Sequence, residues 1–132
     1  CPRGGKKNIK KYNLDNILIC QSNWFDKINQ KFDLILSNPP YIAANDPHLF
    51  QGDLCFEPRT ALCSGKNGFE AIKIIISNSP HYLKSNGWLF FEHGYNQKET
   101  AEKMLKEKGF INIKSVRDLS GKDRVIGGQY IN

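Results

Sequence analysis

Four consecutive residues, Asn38-Pro39-Pro40-Tyr41, carry the clearest chemistry in this 132-residue chain. Each proline fixes φ and removes an N–H donor, and Pro39 biases Asn38 toward an extended backbone. The segment is therefore stiff and presents acceptors rather than donors. The Asn38 side-chain oxygen and the Pro39 carbonyl can both accept hydrogen bonds from one planar NH2 group. Tyr41 offers a flat face on which that group can stack. An amide or aromatic amine is a poor nucleophile because its lone pair is delocalised into a π-system. Acceptors on its hydrogens orient the lone pair and favour the charge that develops as the nitrogen is alkylated. No general base is needed first, since the proton can leave after the methyl arrives. Residues 38–41 thus suit alkylation of a planar amino group, such as methyl transfer; the alternative is a plain turn after a strand.

The elements around this segment put it in a suitable place. Phe32 to Ser37 reads as a strand halted by the two prolines, which sets residues 38–41 at a strand's carboxyl end, where open α/β sheets bind ligands. Residues 16–20 form a second short apolar run with β-type content, followed by a polar turn holding Trp24 and Phe25. Residues 42–67 read as a long irregular loop, a length usual for binding or lid elements. Phe69, Ile72, Ile76 and Leu83 recur at helical steps, with Pro80 expected to end that helix and Asn86-Gly87 to turn the chain. Residues 88–92 read as a strand apolar on both faces, as in a sheet covered by helices on each side. Residues 97–108 read as an amphipathic helix with Ala101, Met104 and Leu105 inward, Glu99–Lys103 and Glu102–Lys106 pairs outside, and Gly109 at its C-cap. Residues 110–116 and 124–131 read as strands joined by a turn at 120–123. The order predicts an α/β fold with a mainly parallel sheet and a C-terminal antiparallel hairpin.

Composition narrows the class. A hydrophobic fraction of 39% with 11% aromatics is too high for a disordered tail. No apolar run approaches the roughly 20 residues of a membrane-spanning helix, and no secretory leader is evident. The expected setting is the cytoplasm. Of the net charge of +6, Arg3, Lys6, Lys7, Lys10 and Lys11 supply five positive charges before Tyr12. Residues 1–14 therefore read as a basic segment or helix end on a nearly neutral body, and a nucleic-acid footprint is not expected. The cysteines at 1, 20, 55 and 63 have no zinc-ligand spacing, and His48, His81 and His93 complete no cluster, so no metal site is expected.

Longer motifs extend the reading beyond the tetrapeptide. Asn38-Pro39-Pro40-Tyr41-Ile42 resembles the signature of S-adenosylmethionine-dependent methyltransferases that act on planar amino groups. Asp46-Pro47-His48-Leu49, Gly52-Asp53, Phe56-Glu57-Pro58-Arg59-Thr60-Ala61-Leu62 and Glu92-His93-Gly94 are similar to the HemK/PrmC family. Members of that family are protein-glutamine N-methyltransferases of class I peptide chain release factors, acting in translation termination. The resemblance runs from about residue 8 to the end. It implies a Rossmann-like class I methyltransferase sheet, S-adenosylmethionine as cofactor, and the glutamine of a Gly-Gly-Gln loop as substrate. It further implies that Asn38, Pro39, Pro40 and Tyr41 hold the glutamine amide, that Asn38 also borders the cofactor, and that Trp24 and Asn23 flank the adenine. Asn23 stands where the family usually has Asp. Glu57 and Arg59 are candidate substrate contacts.

By the same resemblance, residues 15–132 correspond to the C-terminal part of the catalytic domain, and the family's first β-α-β unit has no counterpart here. In the family's strand order its first strand pairs with Phe32 to Ser37 and its second with residues 16–20, so an exposed apolar edge is expected. Gly127-Gly128-Gln129 spells the family's target tripeptide, but it falls in an expected strand rather than a loop. His93 reads as a hydrogen-bonded scaffold residue at a strand end. Two other functions remain open at this point. One is an adenine N-methyltransferase of DNA or RNA, which would use the same segment on a flipped base. The other is an inactive remnant that acts as a binding module.

Overall fold

The apolar repeat of Glu70–Tyr82 builds the helix on which the rest of the fold leans. In the computed structural model, which describes residues 2–44 and 58–131, the order is α1 (Pro2–Tyr12), β1 (Phe32–Ser37), α2 (Arg59–Leu62), α3 (Glu70–Tyr82), β2 (Leu83–Glu92), α4 (Lys98–Glu107), β3 (Phe110–Arg117) and β4 (Asp123–Tyr130). The strands form one sheet in the order β1-β2-β4-β3. The α/β class stands. The sheet is mixed rather than mainly parallel: β1 and β2 are parallel, whereas β2–β4 and β3–β4 are antiparallel. The reason is that the C-terminal hairpin supplies two of the four strands.

Helices α3 and α4 bury Ile72, Ile75, Ile76, Ala101 and Leu105 against Leu83, Leu89, Phe91, Phe110 and Ile126 of the sheet. These residues lie on one face. On the other, Trp88 and Phe90 stack at 5.5 Å and 6°, Lys114 Nζ lies 5.0 Å from the Trp88 ring, and Leu34 and Leu36 are exposed beside them. The expected helical cover of both faces of residues 88–92 is thus seen on one face only among the described residues. The apolar content of Trp88 and Phe90 is partly satisfied by their mutual stacking.

Several local expectations are corrected. Residues 16–20 form no strand; Ile17 and Leu18 are exposed and β1 is an edge. A strand exists only through its ladder, and no described segment lies beside these residues to pair with them. Pro80 does not end α3, which continues to Tyr82. Proline this close to the C-terminus removes one helical bond, and the Ser79 hydroxyl donates to the Ile76 carbonyl left without it (3.4 Å). Asn86-Gly87 is not a turn before the strand but part of a bulge within β2. Asn86 has φ 64°, and Leu83 and Trp88 oppose Phe32 and Leu34 of β1. In α4 the Glu102–Lys106 pair is present at 2.6 Å, while Lys103 turns to Glu107 (3.9 Å) rather than to Glu99. Gly109 does follow the α4 C-cap, with φ 91°. The stretch 42–67 is not wholly irregular. It contains α2, and Ile42 bridges Cys63, with the Ile42 amide donating to the Leu62 carbonyl (2.9 Å) and the Ser64 amide to the Ile42 carbonyl (2.9 Å).

Candidate functional site

Residues 38–41 leave the carboxyl end of β1 and cross toward the end of β2. Two prolines cannot donate to a ladder, so β1 stops at Ser37. Pro39 is buried whereas the Asn38 side chain is exposed, and its amide has no hydrogen-bond partner among the described residues. The far end of the segment is fastened twice. The Tyr41 hydroxyl donates to Glu92 Oε1 at 2.7 Å, and the Tyr41 carbonyl accepts from Gln97 Nε2 at 3.1 Å. Gly68, at φ 74°, comes close to the Tyr41 carbonyl; a Cβ there would lie 2.4 Å from that oxygen. A tyrosine fixed at both ends, a buried proline and an asparagine amide uncommitted among the described residues are thus brought together at the end of β1.

A cleft of about 440 Å³ opens beside these residues, closed by Leu62 of α2, Tyr95 after β2, and Lys122 and Arg124 of the hairpin. The hairpin wall is built around Asp118. Its carboxylate accepts from the backbone amides of Ser120 (2.8 Å) and Lys122 (3.0 Å) and from Arg124 Nε (3.0 Å). Those bonds, with the Lys122 amide foremost, hold the Asp118 carboxyl below the usual carboxylate range. Lys122 Nζ lies 5.4 Å from the Tyr95 ring. One side of the cleft is therefore acceptor-rich and the other cationic.

Burial, reinforced by the hydrogen bond to Glu92, pushes the Tyr41 phenol up to about 12. A raised phenol favours the neutral form in the fold. Its contribution to stability is complete below the ordinary tyrosine value of about 10 and is lost as pH rises through about 12. We expect an ultraviolet difference titration to show one late-ionising phenol, removed by Tyr41→Phe. If that variant instead removes a phenol that ionises near 10, the Tyr41–Glu92 bond is not formed in solution.

The structure gathers only part of the residues singled out from the sequence. Asn38, Pro39, Pro40 and Tyr41 all line the cleft. Trp24 and Asn23 do not; they sit in the turn after residue 22, with Trp24 at φ 48° and the Asn23 amide donating to Asp26 (3.3 Å). Glu57 lies outside the described residues, as do residues 46–49, 52–53 and 56, and Arg59 opens the short helix α2. His93 is fully buried, with Nδ1 2.7 Å from the Gly94 carbonyl, and it does not line the cleft. Gln129 is fixed in β4, accepting from Asn112 (2.8 Å) and donating to the Asn86 carbonyl (3.0 Å), so the Gly127-Gly128-Gln129 tripeptide is sheet. Gln97, Tyr95, Lys122 and Arg124 were not legible from the sequence. For Gln97 the one available signal is its place three residues after the Glu92-His93-Gly94 motif.

The residues present fit the methyl-bearing end of S-adenosylmethionine better than its amino-acid end. The Asn38 amide is free among the described residues and lines the cleft. Three glycines are taken up by close packing: a Cβ at Gly65 would strike Glu70, one at Gly68 Tyr41, and one at Gly127 the Leu89 carbonyl. None of these forms a ligand cradle after a strand. Among the described residues no group of His, Cys, Asp and Glu is placed to hold a metal ion, and no helix is long and apolar enough to cross a membrane.

The chain is 44% identical over 128 residues to the release factor glutamine methyltransferase of Aliivibrio fischeri, a match covering 96% of this chain and 45% of that protein. It is 41% identical over 125 residues to the enzyme of the same name from Yersinia pestis, covering 95% and 45%. It thus spans less than half the length of the curated relatives it matches. A crystal structure of a methyltransferase from Pyrococcus furiosus superposes with a TM-score of 0.69 at 15% identity, covering 98% of this chain and 57% of that one. That likeness establishes the fold. No family model matches. The relatives carry the name of the same activity that the motifs from Asn38 to Gly94 resemble.

Proposed function

We propose that this chain is the catalytic part of an S-adenosylmethionine-dependent methyltransferase that methylates the side-chain amide nitrogen of glutamine in class I release factors, in the cytoplasm. The observation that carries this reading is the Asn38 amide, unpartnered among the described residues, at the end of β1, beside buried Pro39 and a Tyr41 tied down at both its hydroxyl and its carbonyl. The names of its relatives add the substrate class. S-adenosylmethionine, when bound, supplies an electrophilic methyl group. The chain's own residues do the rest. Asn38 Oδ1 and the Pro39 carbonyl accept the two amide hydrogens and aim the nitrogen. Pro40 keeps the segment stiff, and the Tyr41 ring stacks on the amide plane. The Leu62 and Tyr95 walls exclude water, and one amide proton leaves to solvent after transfer. Trp24 and Asn23 are assigned to the adenine side of the donor, and Glu57 and Arg59 to the substrate loop.

The test is a radiolabelled methyl-transfer assay on the chain, offering a release factor with its Gly-Gly-Gln loop alongside DNA. Label in the release factor, absent when that glutamine is changed to alanine, is the expected result. Label in DNA alone would replace this reading with a base methyltransferase, and label in neither would leave a binding module.

A further inference from the structure

We propose that Gln97 is the positioning residue of this site, a clamp that holds the acceptor segment 38–41 at the height and angle needed for the amide. The proposal rests on the functional reading above and goes beyond it by naming a group that touches no substrate. Gln97 is buried at the N-cap of α4, and its amide is used on both sides. Oε1 accepts from the Gly94 amide at 2.8 Å, while Nε2 donates to the Tyr41 carbonyl at 3.1 Å and the Gly68 carbonyl at 3.3 Å. The partners settle which end is which, since an N–H must face the oxygen and two carbonyls must face the nitrogen.

One side chain thus ties together three segments distant in sequence: the exit of β1, the turn before α3 and the loop after β2. The Tyr41 hydroxyl is held separately by Glu92, so Gln97 sets the backbone of the segment while Glu92 sets the ring. Pro39 and Pro40 make the link from Tyr41 back to Asn38 stiff, and a displacement at the Tyr41 carbonyl passes to the Pro39 carbonyl and Asn38 rather than being absorbed. In well-placed reactions a misplacement of about 1 Å can lower the rate by about 100-fold.

Two variants separate the parts of the clamp. Gln97→Glu keeps an acceptor for the Gly94 amide but turns a carboxylate oxygen toward two carbonyls. Gln97→Met removes both functions at similar length. We expect Gln97→Glu to lower kcat for glutamine methylation by about 10- to 100-fold, with KM for the release factor changed less than threefold and Gly94 amide exchange still protected. Gln97→Met should lower kcat similarly and also speed Gly94 exchange by tenfold or more. A kcat within twofold of the parent in both variants would overturn the proposal, as would a fall in kcat matched by an equal rise in KM. A parent chain that transfers no methyl to glutamine overturns the functional reading instead. The two failures are told apart because Gly94 exchange is read without turnover.

Discussion

Replacing Asn38 by alanine is expected to lower glutamine methylation by about 100- to 1,000-fold, the usual consequence of deleting one polar group aimed at developing charge. The fold should be untouched. Asn38 is exposed, its amide bonds to nothing among the described residues, and its neighbour Pro39 supplies the buried contact. Thermal midpoints of the parent and Asn38→Ala should therefore agree within about 2 °C. The loss should appear in kcat rather than in donor binding, because the acceptor matters most as positive charge builds on nitrogen. Methylation by Asn38→Ala within threefold of the parent would remove Asn38 from the site and, with it, the account of how the amide is activated.

The second large effect lies in the core. Phe91→Ala is expected to destabilise the chain by about 3–5 kcal/mol, a large share of the roughly 5–15 kcal/mol that holds a domain together. Phe91 heads the fully buried side chains, at 1% exposure, in the cluster with Leu89, Ile126 and Leu105. The adjacent Phe90 provides an internal control. It points to the opposite face, stacked on Trp88 and partly exposed, and its truncation should have less than half the effect. Urea unfolding of the two variants makes the comparison. Equal losses would mean that the Trp88–Phe90 face is covered in solution as well as the Phe91 face.

Local backbone structure followed from the sequence where its causes are local. Two prolines after a β-rich run dictate both the end of β1 and the stiffness of residues 38–41, and no tertiary information is needed for either. The helical spacing of Ile72 and Ile76 and of Ala101 and Leu105 likewise identified the buried faces of α3 and α4. Pro80 failed as a stop signal because its effect depends on how many helical bonds follow it, and the neighbouring Ser79 hydroxyl serves as a substitute donor to the Ile76 carbonyl. Residues 16–20 failed for a different reason: their pattern is that of a strand, but a ladder needs a neighbour that lies elsewhere in space.

Residue types and their order thus determined the stiff segment 38–41, its position after a strand and the α/β class. Only tertiary structure decided that Glu92, Gln97 and Arg124 would converge on that segment from the end of β2, the cap of α4 and the hairpin. The physical reason is range. Proline stiffness, helical period and strand content act within a few residues. The hydrogen bonds that join Tyr41 to Glu92 and Gln97 span 51 and 56 residues, and nothing in local propensity records which distant donor will meet which carbonyl.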